Sequence, residues 1–443
     1  MLPQKNALPE IPEGQSYSRL VNQFPIFYGW VILVIGAFGL IMTSPGQTYA
    51  LAIFIEHFIT DLGLSRSLVS GLYSAASLVA GFTLPFIGQQ IDRRGSRLMM
   101  GLLAFLCGLA CIFTGFAMNA VWLGLGFFAL RIFGQGGLML VSTNVINQWW
   151  VRKRGVAMGI AGLLMSLLAV GGYPNMLNWL IAQFGWRTTF FLQSGILFFL
   201  LLPLALLLLR NYPEDYGLQP DGLSAADSRP KTSAETETSA PTEESWTAAE
   251  AVRTPVFWIV GLGIAAMAMA VTGLFFHMVS IFEDNGLSQT VTAAAFVPIA
   301  ITTAIVTLSS GILIDRWPAN ILLSAALLCQ TASLVLAPYL RTVEIAFLYG
   351  VLLGATFGLS RTVGSVIWAD YFGRRHLGSI TGITTTIMVT GASLGPLPFG
   401  IGRDLLGSYN VVLLIAAVFP MTLAGVVLFA RKPEKPILKT VVS

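Results

Sequence analysis

Long apolar runs, each ended by a short polar or glycine-bearing segment, recur along the chain. A helix needs about 20 apolar residues to cross a bilayer. The pattern predicts such helices at 26–55, 65–90, 97–118, 120–148, 155–182, 186–209, 255–282, 289–312, 320–340, 343–371, 377–402 and 408–430. These are helices 1 to 12 in chain order. Several exceed the bilayer thickness and are expected to tilt or to extend beyond it. Gly and Pro recur inside them, which membrane helices tolerate because neighbouring helices satisfy the freed backbone groups. Residues 211–252 differ in kind: they are rich in Ser, Thr, Ala, Glu and Pro, with nine acidic residues and two basic ones. Such a segment buries too little apolar surface to order itself, so a disordered linker is expected there. The chain divides into a tail (1–25), a six-helix bundle (26–210), the linker (211–252), a second six-helix bundle (253–431) and a second tail (432–443).

Composition agrees. Apolar residues make up 55% and charged residues 10%, against roughly 25% charged in a soluble domain. Too few charges remain to clothe a soluble surface of this size. Their placement sets orientation. With the N-terminus inside, the inner segments hold nineteen of the 25 Lys and Arg residues, and the outer loops hold four. By the positive-inside rule both termini, and the linker, are expected to be cytoplasmic, in a multi-pass protein of the cell membrane. The basic pI is then a matter of topology and needs no nucleic-acid partner. Residues 1–25 lack the apolar core of a cleaved signal, so helix 1 is expected to act as an uncleaved one. Cys107, Cys111 and Cys329 lie inside apolar runs without disulfide or metal spacing. No metal or other cofactor is expected.

The two bundles repeat. Asp61-Leu-Gly-Leu-Ser65 matches Asp284-Asn-Gly-Leu-Ser288, and Gly88-Gln-Gln-Ile-Asp92-Arg93 matches Gly311-Ile-Leu-Ile-Asp315-Arg316, both at an offset of 223 residues. Six helices separate the copies, so they share one orientation. Parallel repeats of this kind are a transporter architecture with a solute site near midplane between the halves. A duplicated channel or sensor is the other reading, although no filter loop or charged ring of a pore is present.

Gly88-Gln-Gln-Ile-Asp-Arg-Arg-Gly95-Ser-Arg97 joins helices 2 and 3. Gly88 allows close approach of a neighbour. Asp92 can face a helix N-terminus, and Arg93 and Arg97 can pair with groups on adjacent helix ends. This loop resembles the signature of the major facilitator superfamily. The resemblance implies a fold of twelve transmembrane helices, all-α, in two pseudo-symmetric six-helix bundles. It also implies a conformational gate made of Gly88, Asp92, Arg93, Gly95 and Arg97, with Asp315 and Arg316 as its partial copy. Tyr28-Gly29-Trp30, Trp149-Trp150-Val-Arg-Lys-Arg154-Gly-Val-Ala-Met-Gly159, Gly185-Trp186-Arg187, Pro213-Glu-Asp-Tyr-Gly-Leu-Gln-Pro-Asp-Gly222 and Thr254-Pro-Val-Phe-Trp258 narrow it. Together they resemble the monocarboxylate porters and oxalate–formate exchangers. That branch implies a small carboxylate moved with a proton or in exchange for a counter-anion. The binding residues of those carriers do not carry over: helix 1 has no lysine, and 289–312 and 377–402 hold no charge.

Two charges remain near midplane, Arg131 in helix 4 and Arg361 in helix 10. Each costs about 2.5–3.5 kcal/mol at a helix centre, so each should face the interior. The repeat offset places Arg361 seven residues beyond the equivalent of Arg131. Seven residues turn about 700° and advance about 10 Å, so the two share a face at different depths. No Asp or Glu occupies the middle third of any helix. An anionic solute would supply the missing partner; alternatively, Arg131 bonds backbone carbonyls beside a kink. Helix 1 carries Thr43-Ser44-Pro45-Gly46-Gln47-Thr48-Tyr49, a broken polar midsection that makes Gln47 and Tyr49 candidate ligands. His277, within helix 7, is a candidate for proton coupling or a hydrogen-bonded structural histidine.

A transporter of neutral or amphiphilic molecules, and a receptor or sensor on the same fold, are the competing readings. Cationic drugs fit poorly in a chain without membrane acids. No His-Glu-x-x-His motif, no paired acids within helices and no phosphate-binding loop ending in Lys-Ser/Thr are present, so neither an enzyme nor an ATP-driven pump is expected.

Overall fold

In a computed structural model, residues 18–222, 246–313, 316–373 and 377–433 are described, and none of them forms a strand. Among the described residues, eleven helical segments are long and apolar enough to cross a membrane. The longest of them, Arg154–Leu207, is two helices, because Gly185 takes φ 76° and ψ 162° inside it. The twelve are helix 1 (29–62), helix 2 Arg66–Arg94, helix 3 Ser96–Gly115, helix 4 Ala120–Trp149, helix 5 (154–184) and helix 6 (186–207). The second half repeats them as helix 7 Pro255–Phe276, helix 8 Gln289–Leu313, helix 9 Ala319–Leu336, helix 10 Val343–Phe372, helix 11 (377–406) and helix 12 Asn410–Leu428. Helix 1 runs past its expected end at 55 because residues 55–62 stay helical up to Gly63.

The repeated motif has one local cause in both halves. Gly63 and Gly286 sit at φ 64° and 84°, a left-handed conformation that glycine takes without strain. Two residues on, Ser65 and Ser288 accept the backbone N–H of Leu68 (3.2 Å) and Val291 (3.4 Å), capping helices 2 and 8. Four of the five tryptophans of the branch motifs are clasps. Trp149 Nε1–H donates to Arg210 O (3.1 Å), Trp150 to Gly29 O (3.1 Å), Trp186 to the Asp61 carboxylate (2.7 Å) and Trp258 to Val252 O (2.8 Å). Large apolar residues such as Phe82, Phe86, Phe199, Leu405 and Ile415 are exposed on the perimeter, where lipid would cover them.

Both ends of the expected linker are built into the bundles. Asp221 accepts the backbone N–H groups of Val151 (3.2 Å), Arg152 (2.7 Å) and Lys153 (2.9 Å) at the entrance to helix 5. Burial raises the Asp221 carboxyl, but these three donors outweigh it and hold the group below the usual carboxylate range. On the other half, Trp246 N–H donates to Phe372 O (2.9 Å), and Thr247 and Glu250 form a capping box. Residues 223–245 lie outside the described residues.

Candidate functional site

A cavity of about 560 Å³ lies between the halves, lined from helices 1, 4, 5, 7, 8, 10 and 11. The break in helix 1 forms part of its wall. Pro45 withholds a backbone donor, so Ser44–Gly46 tighten into a 3-10 turn and Gln47 is extended (φ −84°, ψ 147°). The turn presses on helix 4, which is π-helical over Leu130–Leu138. A Cβ on Gly46 would stand 2.2 Å from Leu130 O and 2.8 Å from Gln135 N, so only glycine fits. Gln47 and Tyr49, both expected ligands, line the cavity. Gln47 Nε2 donates to Thr43 Oγ1 (3.1 Å) and Tyr49 OH bonds Ser44 Oγ (3.0 Å).

The two midplane arginines part company. Arg131 is not among the lining residues. Its Nη1 donates to Gly46 O (3.2 Å), a carbonyl freed by the break, and its guanidinium lies 5.0 Å over the Tyr73 ring. Arg361 is the one charged residue among those lining the cavity and is exposed to it. It makes no hydrogen bond or ion pair among the described residues. Phe357, Ser360, Gly364 and Trp368 share its face of helix 10. Helix 11 contributes Thr381, Thr384 and Thr385. Those threonines, with Gln135, Ser166 and Thr303, were not anticipated. Their spacing of three and four residues was the available signal. Met165, Ile264, Met267, Val271 and Phe275 make the rest of the wall largely apolar.

His277 does not line the cavity and is fully buried. Its Nε2 faces Pro396 O at 2.9 Å, and a carbonyl only accepts, so Nε2 carries the hydrogen. Nδ1 then accepts from Tyr409 OH (2.9 Å). Ser70 Oγ of helix 2 lies 3.3 Å from Nε2. Gly391-Ala-Ser393-Leu-Gly395 has the spelling of a hydrolase nucleophile turn but lies within helix 11. Ser393 bonds Val389 O (2.8 Å), and the glycines admit the backbone of helix 7 at Ala265 and Met269.

Hydrogen bonds that join the halves cluster at the end away from the termini. Ser67 N–H donates to Asp404 (2.8 Å), Gln289 to Ile53 O (2.9 Å), Asn175 to Ala293 O (2.9 Å) and Ser166 to Ala300 O (2.9 Å). At the terminus-bearing end, a Cβ on Gly88, Gly155, Gly159, Gly364 or Gly382 would meet nothing within 4 Å. The close approach expected at Gly88 is therefore absent among the described residues in this conformation. Asp92 and Arg93 are exposed. Gly95, at φ 80°, packs on Asn211, and Arg97 donates to Leu206 O (2.8 Å) and, through its backbone, to Asn211 (2.9 Å), all within the first half. Arg316 is exposed, and Asp315 lies outside the described residues.

Residues 36–396 match the family model described as the Major Facilitator Superfamily, and the chain belongs to that superfamily. Among its relatives, the probable L-galactonate transporter of Escherichia coli (strain K12) is 30% identical over 145 residues, covering 31% of this chain and 30% of that protein. Monocarboxylate transporter 14 of Homo sapiens is 24% identical over 196 residues, covering 42% and 37%. The matched segments thus span about a third of the length of the curated relatives. A crystal structure of the nucleoside transporter NupG superposes with a TM-score of 0.69 at 12% identity, covering 90% of this chain and 100% of that one. An inward-facing, unoccupied bacterial homolog of the human lysosomal transporter Spinster does so at 0.63 and 19%, covering 92% and 99%. These likenesses show the fold.

Proposed function

We propose that the protein is a secondary active transporter that moves a small organic anion across the cell membrane by alternating access, with both termini in the cytoplasm. One observation carries the reading: Arg361 faces a cavity between the halves and has no hydrogen-bond or ion-pair partner among the described residues. A cation facing a largely apolar cavity without a partner is costly, and a carboxylate entering the cavity would relieve that cost with a bidentate bond. Gln47, Tyr49 and the helix 11 threonines stand ready to orient the rest of the solute. Two relatives bear names that specify organic anions, L-galactonate and monocarboxylate. Arg131 supports the site at one remove by holding the broken helix 1. Among the described residues no hydrogen bond joins the halves beside the Gly88–Arg97 loop, which fits the inward-open state of a carrier, and closure would bring that loop and Arg316 into contact with the opposite half. Coupling to a proton or to a counter-anion completes the cycle.

The apolar wall favours a second reading, a neutral amphiphile. Uptake into proteoliposomes separates the two. The solutes are short and aromatic monocarboxylates, dicarboxylates, phosphate esters and neutral amphiphiles. The expected result is saturable anion uptake. A charge-assisted hydrogen bond contributes about 1.5–3 kcal/mol, so Arg361→Ala should raise KM roughly 10- to 150-fold. Unchanged anion uptake by Arg361→Ala, or uptake of neutral solutes alone, would overturn the proposal.

A further inference from the structure

The outer end of the protein carries an ion pair that a hydroxyl from the opposite half completes. Glu56, at the end of helix 1, accepts two bonds from Arg66 of helix 2, Nη1 to Oε1 at 2.5 Å and Nη2 to Oε2 at 2.8 Å. Ser280, just beyond helix 7 in the second half, bonds both partners: its hydroxyl donates to Glu56 Oε1 and accepts from Arg66 Nη1. With its single hydrogen given to Glu56 and its lone pair to Arg66, the serine suits an ionised carboxylate paired with a cation. Arg66 and Glu56 side chains are 13% and 21% exposed, so a proton can reach the carboxylate from outside.

We propose that Glu56 is the proton-binding site of this carrier and that its ionised form, bridged to Ser280, locks the outer side shut. Protonation removes the charge that Arg66 and Ser280 both address, and the bridge between the halves fails. In the outward-open state Ser280 has withdrawn and Glu56 has lost a donor to its charged form, so it binds a proton more tightly there. By linkage, external acid then favours the outward-open state. The inference rests on alternating access but on no particular solute.

Other ionisable groups surround the pair, and most are engaged. Asp61 of helix 1 holds Arg187 (3.2 Å) and Trp186. Asp284, beyond helix 7, holds Arg403 of helix 11 (2.9 Å), and Asp404 accepts from Ser67. Tyr409, at the entrance to helix 12, is tied to His277, whose two ring nitrogens are both bonded. His57, whose buried Nε2 has no partner, and the exposed Glu283 are the rivals. Neither bridges the halves by a hydrogen bond.

The test reads conformation instead of uptake, so an unidentified solute cannot spoil it, and a failed solute panel leaves it standing. Spin labels go on Met118→Cys and Tyr339→Cys, exposed outer positions on opposite halves, with Cys107, Cys111 and Cys329 changed to Ala. Distances are measured by electron double resonance in nanodiscs from pH 8 to pH 4. In the parent the long-distance population should rise severalfold with acid. Glu56→Gln should show it high and flat across pH. Ser280→Ala should raise it at pH 8, and this variant carries the test if Glu56→Gln does not fold. His57→Gln, His277→Gln, Glu283→Gln and Asp404→Asn should keep the parent's response. A flat parent, a normal acid response in Glu56→Gln, an unraised Ser280→Ala, or loss of the response in any of those four overturns the proposal.

Discussion

Gly46→Ala is a small change with a large expected effect. The added carbon would stand 2.2 Å from Leu130 O, 2.9 Å from Leu130 C and 2.8 Å from Gln135 N. All three are backbone atoms of the π-helical segment of helix 4, so no side chain can swing away. Helix 1 must retreat by about 1 Å, and overpacking of this kind costs about 1–3 kcal/mol. The retreat also breaks the bond from Arg131 to Gly46 O, now 3.2 Å, and a hydrogen bond to a charged group contributes about 1.5–3 kcal/mol. Together the loss is about 3–6 kcal/mol. In a domain the size of one half, each kcal/mol lowers Tm by about 2–4 °C. The thermal melt of the purified protein should therefore fall by roughly 6–12 °C at the lower figure. Gly425→Ala in helix 12, where the added carbon meets nothing within 4 Å, is the control. A Gly46→Ala variant that melts with the parent and the control would refute the claim that this contact builds the broken helix.

Two further outcomes follow from residues outside the cavity lining. Arg131→Met should lower Tm by several degrees, since Gly46 O loses its donor, yet leave the KM for the transported anion within about fivefold of the parent; a KM shift as large as that of Arg361→Ala, on the scale of a lost charged bond, would place Arg131 on the solute. Asp221 has a carboxyl held below its ordinary value, so its contribution is present above the unfolded value of about 4 and is lost as pH falls through the lower folded value. Asp221→Asn should speed hydrogen exchange at the amides of Val151, Arg152 and Lys153 at pH 7, equivalent to about 1 kcal/mol of lost capping. The difference should vanish in acid below both values.

Much of this fold was legible because membrane helices obey one-dimensional rules. Twelve apolar runs, their polarity bias and the 223-residue repeat are all local patterns, and bilayer thickness converts them into spans. The break in helix 1 was legible too, since Pro45 and Gly46 act on their own backbone. The linker was read less well. Its composition suits a disordered segment, yet Asp221 and Trp246 are buried by partners 68 or more residues away. Composition averages over a window and cannot register single anchors.

The sequence by itself determined that this is a two-fold repeated, twelve-helix membrane protein with two arginines inside its helices. Tertiary structure alone separated those arginines. Both are equally expensive in lipid, and helical phase puts both on inward faces. Only the neighbour that each meets decides its role: for Arg131 a carbonyl freed by Pro45 and Gly46, for Arg361 an open cavity. The same holds for His277, whose saturation depends on Pro396 and Tyr409 more than one hundred residues on. It holds also for the bridge at Glu56, in which Ser280 reaches an ion pair 214 residues away or more. Side-chain chemistry is written locally, but whether a polar group is already satisfied is a property of the packed molecule.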